Sequence, residues 1–348
     1  MKKLLFSLSI MISAVALVVG CRQDPNSSAN SLMPMSSPPP ADAHPAWAFT
    51  GLHSVTSHGI TTGYSTIAVS DSDQTDVANV YTCAASNLMA NSSTWSTNGA
   101  SISFIEHPQV ASAWGSYIIK TVDVSVSGGV ASGSNVQTIY SRATSDSMQI
   151  TAQAWCPASG VNKIAFIGHT PVEDAIYTIP TSGGTPTKIY SIAKANGNFR
   201  KFITWSNDGT ELAFAVDTGT SSNYKDALKI IDLSGNVQAT LIPDKYVAIF
   251  GVQWSHSGTD KIAFQATTST SGSSTSYDTY TIGTSSGSTE TKVISANSSR
   301  AFWSPNNLEL VYDISATGTN SGVNKMNVGS GTNTFVGSSH KFGDWKTP

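Results

Sequence analysis

An all-β, six-bladed β-propeller of four-stranded antiparallel blades is the fold this sequence predicts, and three observations predict it. Six tryptophans, Trp95, Trp155, Trp205, Trp254, Trp303 and Trp345, recur at gaps of 60, 50, 49, 49 and 42 residues. Repeats of this length mark solenoids and propellers. Five of these tryptophans open one shared phrase, a polar turn followed by a short apolar strand. Finally, β-branched residues dominate the periodic segments, and no amphipathic helix follows the N-terminal leader.

The phrases align directly. Trp95-Ser-Thr-Asn-Gly99 leads to Ile102-Ser-Phe104, and Trp155-Cys-Pro-Ala-Ser-Gly160 to Ile164-Ala-Phe166. Trp205-Ser-Asn-Asp-Gly209 leads to Leu212-Ala-Phe214, Trp254-Ser-His-Ser-Gly258 to Ile262-Ala-Phe264, and Trp303-Ser-Pro-Asn-Asn307 to Leu310-Val-Tyr312. Each reads as a strand ending in tryptophan, a tight turn, and a second strand. Third strands are expected at Tyr117–Val126, Ala175–Ile179, Leu228–Leu233 and Tyr280–Ile282, each before a glycine turn. Fourth strands fit Gln137–Tyr140, Thr187–Tyr190, Ala239–Ile242 and Lys292–Ile294. Four strands per unit of this length describe a propeller blade.

The two ends of the repeat complement each other. The first unit offers Ile67-Ala-Val69 as a second strand and Asn79-Val-Tyr-Thr82 as a third, with no tryptophan phrase before them. The last unit is followed by a lone first strand, Lys341-Phe-Gly-Asp-Trp345. Pairing the C-terminal strand with the N-terminal blade is expected to close the ring and remove its exposed edges. The repeated tryptophans are expected as wedges between blades, each burying about 150–250 Å². Trp47 and Trp114 fall outside the repeat and are read as surface residues.

These residues resemble the TolB-like propeller repeat, whose consensus runs Trp-Ser-Pro-Asp-Gly, an Ile-Ala-Phe strand, an Ile-Tyr strand and a Gly-Gly turn. The resemblance covers about Ile60 to Pro348 and is strongest from Trp205 to Phe214 and from Trp254 to Phe264. It implies the fold and does not extend to a full TolB, which carries an α/β domain ahead of its propeller.

Residues 1–20 read as a secretory signal peptide, with Lys2-Lys3 before the apolar stretch Leu4–Val19. The segment Val18-Val19-Gly20-Cys21 resembles a bacterial lipoprotein box, which implies lipidation of Cys21 and a membrane anchor. Residues 21–46 form a Ser/Pro-rich linker that cannot bury a core, and residues 47–348 the propeller. The expected location is extracytoplasmic and lipid-anchored, at the outer membrane in a Gram-negative cell.

Charged residues make up 12% of the chain and the net charge is −3, so no nucleic-acid partner is expected. Cys83 and Cys156 lie two blades apart and are expected as buried free thiols. His107 and His169 each sit three residues after a second-strand phenylalanine, with Asp217 matching in the next unit. Strand spacing of about 4.8 Å sets these positions back from the channel and apart from one another, so no metal or other cofactor is expected. Asp71-Ser-Asp73-Gln-Thr-Asp76 lacks the glycine and terminal glutamate of an EF-hand and reads as a solvated hairpin.

The candidate binding residues precede the inner strands, where loops enter the channel mouth: Arg200, Lys201, Lys245, Arg300, His340 and Lys341. A one-sided basic rim attracts anionic groups. No catalytic constellation stands out. The expected function is a monomeric, lipid-anchored binding or scaffold module for an envelope protein, peptide or glycan. A propeller-type lyase or hydrolase acting on an anionic polysaccharide is the alternative, and a surface lipoprotein with no tight ligand also remains open.

Overall fold

The computed structural model describes residues 47–57, 60–70, 77–109, 117–142, 148–219, 225–256, 258–268, 277–295, 298–314, 322–337 and 344–345. The leader, Cys21, the linker, the Asp71–Asp76 segment, Trp114, His340 and Lys341 lie outside them.

The described chain is an all-β propeller of four-stranded antiparallel sheets. Trp47–Ser57 (β1), Ile60–Ser70 (β2) and Val77–Thr82 (β3) lead to Leu88–Trp95 (β4), Ser101–Pro108 (β5), Ile118–Ser127 (β6) and Val130–Ser141 (β7). Next come Gln149–Trp155 (β8), Lys163–His169 (β9), Glu173–Pro180 (β10) and Thr187–Ala193 (β11), then Asn198–Trp205 (β12), Glu211–Asp217 (β13), Asp226–Asp232 (β14) and Val237–Tyr246 (β15). Ala248–Trp254 (β16), Lys261–Thr267 (β17), Asp278–Gly283 (β18) and Thr291–Ile294 (β19) precede Ser298–Trp303 (β20), Glu309–Ile314 (β21), Gly322–Asn327 (β22) and Asn333–Gly337 (β23). Asp344–Trp345 (β24) is last. Five sheets run in sequence order from β4, β8, β12, β16 and β20, while the remaining one has the order β24-β1-β2-β3.

The phrase that repeats in the sequence has a local cause. In four of the phrases the serine after the tryptophan accepts the backbone N–H five or six residues on, from Ser101 to Ser96 at 2.9 Å, Glu211 to Ser206 at 2.9 Å, Lys261 to Ser255 at 3.1 Å and Glu309 to Ser304 at 2.9 Å. That bond folds the turn, whose last residue takes a left-handed backbone: Gly99, Gly209 and Gly258 have φ of 62°, 70° and 91°. Asn307 fills the same place at φ 58°, asparagine being among the residues best tolerated there.

The second strand explains the wedge. Its phenylalanine is buried in four blades (Phe104, Phe166, Phe214, Phe264), and Phe166 stacks on third-strand Tyr177 at 5.1 Å between centroids. Its alanine has no exposed surface because the next blade's tryptophan packs there. Ala165 shares a core cluster with Trp205, Ala213 with Trp254 and Ala263 with Trp303. Where the alanine is replaced by Ser103, the following blade answers with Gln153, whose Oε1 accepts the Ser103 hydroxyl at 2.8 Å.

Two assignments in the first unit are corrected. Ile67-Ala-Val69 and Asn79–Thr82 lie in the third and outermost strands, because β1 takes the second place. Trp47-Ala48-Phe49 is that blade's counterpart of Ile-Ala-Phe. Trp47 pairs with Trp345 just as Ile102 pairs with Trp95 and Leu212 with Trp205. Ala48 is fully buried and clusters with Trp95 of the next blade. Trp47 therefore belongs to the repeat. A tryptophan standing in for isoleucine concealed it.

The outer strands of the first two sheets also meet. A Cβ added at Gly133 in β7 would lie 1.8 Å from the Val80 carbonyl oxygen and 2.7 Å from its carbon in β3. Backbone cannot yield as a flexible side chain does. Gly133→Ala is expected to destabilise by about 3 kcal/mol, the upper end of overpacking costs, read as a shift in the guanidinium unfolding midpoint. An unchanged midpoint would show that β7 does not press on β3.

Candidate functional site: the channel cavity

Each of the five longer inner strands breaks register with its neighbour shortly before its tryptophan. The irregularities fall between Asn91 and Thr94, Ile150 and Ala152, Phe199 and Ile203, Phe250 and Gln253, and Ser298 and Ala301. Bulges free residues from the ladder and re-aim their side chains. Here the freed residues include Ser92, Lys201, Phe202, Gly251 and Arg300, which line a cavity between the inner strands. Gly251 is required at its position. Its φ is 59°, and a Cβ there would come within 3.3 Å of the Arg300 Cα and 2.9 Å of Gln265 Oε1.

The cavity opens through a mouth to solvent, and the space within it and its mouth together measures about 890 Å³. It runs from the bulges to the turns after the tryptophans, taking in Thr97, Pro157, Asn207 and His256. Among the described lining residues Lys201 and Arg300 carry charge and no carboxylate does. Lys201 is exposed. Arg300 stands over the Phe202 ring, its guanidinium 4.5 Å from the centroid. Burial holds His256 below the ordinary histidine range, against the opposing pull of the Trp303 carbonyl at 3.2 Å. It is therefore uncharged at neutral pH. Trp155 is partly exposed on the cavity wall, whereas Trp95, Trp205, Trp254 and Trp303 are all buried.

The sequence-derived basic residues separate into groups. Lys201 and Arg300 reach the cavity. Arg200 does not contribute a mouth charge: it is paired with Asp226 through Nε at 2.7 Å and Nη2 at 2.6 Å, with Asp217 at 3.5 Å. Lys245 is corrected outright, since it lies in β15, the outermost strand of its blade, paired with Glu290. That strand runs to Tyr246, farther than the sequence period indicates. His340 and Lys341 lie outside the described residues.

Two buried acids serve the seams between blades, and His107 and His169 bond within their own sheets. Asp174, fully buried, accepts the Phe199 N–H of the next inner strand at 2.8 Å, and Asp226 likewise accepts Ile249 N–H at 2.6 Å. His169 places Nδ1 2.8 Å from Asp174 and Nε2 2.7 Å from the Thr151 hydroxyl. His107 contacts Asn91 at 2.8 Å and stacks on Tyr117. Burial opposes the charge of Asp174, but the bonds from His169, Lys194 and Phe199 N–H outweigh it, and its carboxyl lies below the ordinary range. A depressed folded value adds stability that is complete above the unfolded value of about 3.9 and disappears as pH falls through the folded one. Asp174→Asn is thus expected to cost about 1.5–3 kcal/mol at pH 7 and nothing in strong acid. Denaturant melts at both pH values test this, and a pH-independent difference would refute it.

Both described cysteines, Cys83 and Cys156, are free and buried. Burial, with Glu106 beside it, pushes the Cys83 thiol up to about 12, and burial also raises Cys156. Neither is a nucleophile at neutral pH.

Comparison with solved structures defines the class. The propeller superimposes on TolB from Acinetobacter baumannii with a TM-score of 0.59 at 16% identity, over 82% of this chain and 63% of that one. Hydrazine synthase from Kuenenia stuttgartiensis gives 0.51 at 15% identity, over 77% and 73% of the respective chains. The β-propeller domain of the Trilobed protease from Pyrococcus furiosus, described as having an open velcro topology, gives 0.50 at 10% identity over 84% and 86%. The fold is a β-propeller of the TolB-like kind. This chain thus spans less than two thirds of the TolB length. No family model matches the sequence, and no curated protein sequence matches it.

The cavity residues that sequence reasoning missed are Trp155, Phe202 and the hydroxyl and amide groups of Ser92, Thr94 and Gln253. A usable signal existed. Ser92, Phe202, Gly251 and Arg300 each stand three residues before a repeated tryptophan.

Proposed function

We propose that this protein is a cell-envelope binding module that receives its partner in the channel cavity. The observation that carries the reading is a cavity between the inner strands whose described lining holds Lys201 and Arg300 without a carboxylate. The leader and the lipobox-like Cys21 support export and lipid anchoring, with residues 21–46 as the spacer. The pairing of Trp47 with Trp345 supports a ring of six blades closed by β24. The module acts as a monomer on an envelope protein, peptide or glycan. Glycoside hydrolysis by paired carboxylates about 5–9.5 Å apart finds no such pair among the described lining residues.

Site-specific photo-crosslinking in cells tests the reading. Crosslinkers at Asn207 and Gln253 on the cavity wall are expected to capture a partner, and one at Lys245 on the outer rim none. Adducts confined to the rim would overturn it. A Cys21→Ser chain should lose fatty-acid labelling and membrane retention.

A further inference from the structure

The cavity lining also bears on what kind of partner fits, an inference that rests on the binding reading above. We propose that the ligand is a short segment of an acidic glycan, whose sugar carboxylate is held by Lys201 and Arg300 while its ring lies against Trp155.

Charge comes first. Lys201 comes from the bulge of β12 and Arg300 from that of β20, on either side of β16, and the Arg300 guanidinium lies over the ring of Phe202, the residue after Lys201. A planar fork of N–H donors matches a carboxylate in two parallel bonds, which a lysine alone cannot do. His256, kept neutral, adds no charge, so the cavity suits a ligand of modest negative charge.

The rest of the wall discriminates between a sugar and a peptide. An extended peptide binds best by adding a strand to a continuous edge. Five inner strands break their ladders within a few residues of the cavity, so the backbone pattern that strand addition needs is interrupted. The wall instead offers separate, partly exposed side-chain donors and acceptors, Ser92, Asn207 and Gln253. Hydroxyl and amide groups of this kind pair with sugar hydroxyls, which are donors and acceptors at once. Partly exposed Trp155 supplies the flat apolar surface against which a pyranose face packs.

The test is calorimetric titration of the full-length mature chain with galacturonate and mannuronate tetramers. Uncharged galactose and mannose tetramers, a glutamate tetrapeptide and inorganic phosphate serve as comparison probes. At least one uronate tetramer is expected to bind at least ten-fold more tightly than its uncharged counterpart and than the peptide or phosphate. K201Q is expected to lose about ten-fold or more of that affinity, the effect of one charge-assisted contact, and K245Q none. Trp155→Ala should weaken the uronate and uncharged tetramers alike, which a purely electrostatic site would not do. Tight binding of the peptide or phosphate in place of uronates would overturn the glycan assignment and leave the binding module intact. Equal affinity of K201Q and the unmodified chain for the uronates would refute the site. No binding of any probe, together with crosslinks confined to the rim, would remove both readings.

Discussion

Arg200→Ala is expected to lower the unfolding free energy by about 3–5 kcal/mol, the cost of stripping one partner from a buried ion pair. Asp226 has no exposed side-chain surface and would keep only the Ile249 N–H, at 2.6 Å, of the charged and polar contacts that now hold it. Burial already pushes the Asp226 carboxyl above its ordinary value, against the lowering effect of Arg200. Without the guanidinium it would rise further. A folded-state value above the unfolded one means the native form binds the extra proton. The penalty is therefore largest near neutral pH and shrinks on acidification toward the raised value. Guanidinium melts at pH 7 and pH 5 measure this. Replacing both residues by apolar ones of similar volume should recover much of the loss. Uronate affinity should survive in the fraction that folds, since Arg200 is committed to Asp226 and Lys201 to the cavity.

Trp303→Ala should cost a comparable about 3–5 kcal/mol. Trp303 is 1% exposed and lies in one cluster with Ala263 of the preceding blade and Leu310 and Tyr312 of its own. Its removal empties a wedge that two sheets share, and neither can close the gap without tilting. Trp155→Ala should be milder, because its ring is already partly solvated. Chemical denaturation of the two variants side by side decides the matter. Equal losses would mean that Trp155 is as much a wedge as the others.

The repeat was legible because its chemistry is local. Tryptophan, serine and glycine fix a turn within six residues, and alanine answers the next tryptophan, so the blades could be read from composition and spacing. The first blade was misread because Trp47-Ala48-Phe49 keeps only the alanine and phenylalanine of its motif. The site was legible in part. Lys201 and Arg300 were found through their place before the inner strands, but the same rule included Arg200 and Lys245. Periodicity reports position along a strand, not whether a cation meets a carboxylate from another strand of its sheet. Arg200 meets Asp226, twenty-six residues away on a strand two places over, and no pattern within one repeat announces that. The cavity's aromatic and hydroxyl members escape a reading by residue type because they share a position, three residues before a repeated tryptophan, but not a side chain: serine, phenylalanine, glycine and arginine stand there in turn.

Asp174 and Asp226 each reach forward to grip the first strand of the sheet that follows. A blade therefore does not carry everything needed to seat itself. The self-sufficient module is staggered: three outer strands of one sheet together with the innermost strand of its successor. Copying or grafting this architecture should succeed when cuts fall just after a repeated tryptophan, and fail when they follow the visible sheet boundaries. The acid and the amide it secures would otherwise be inherited separately.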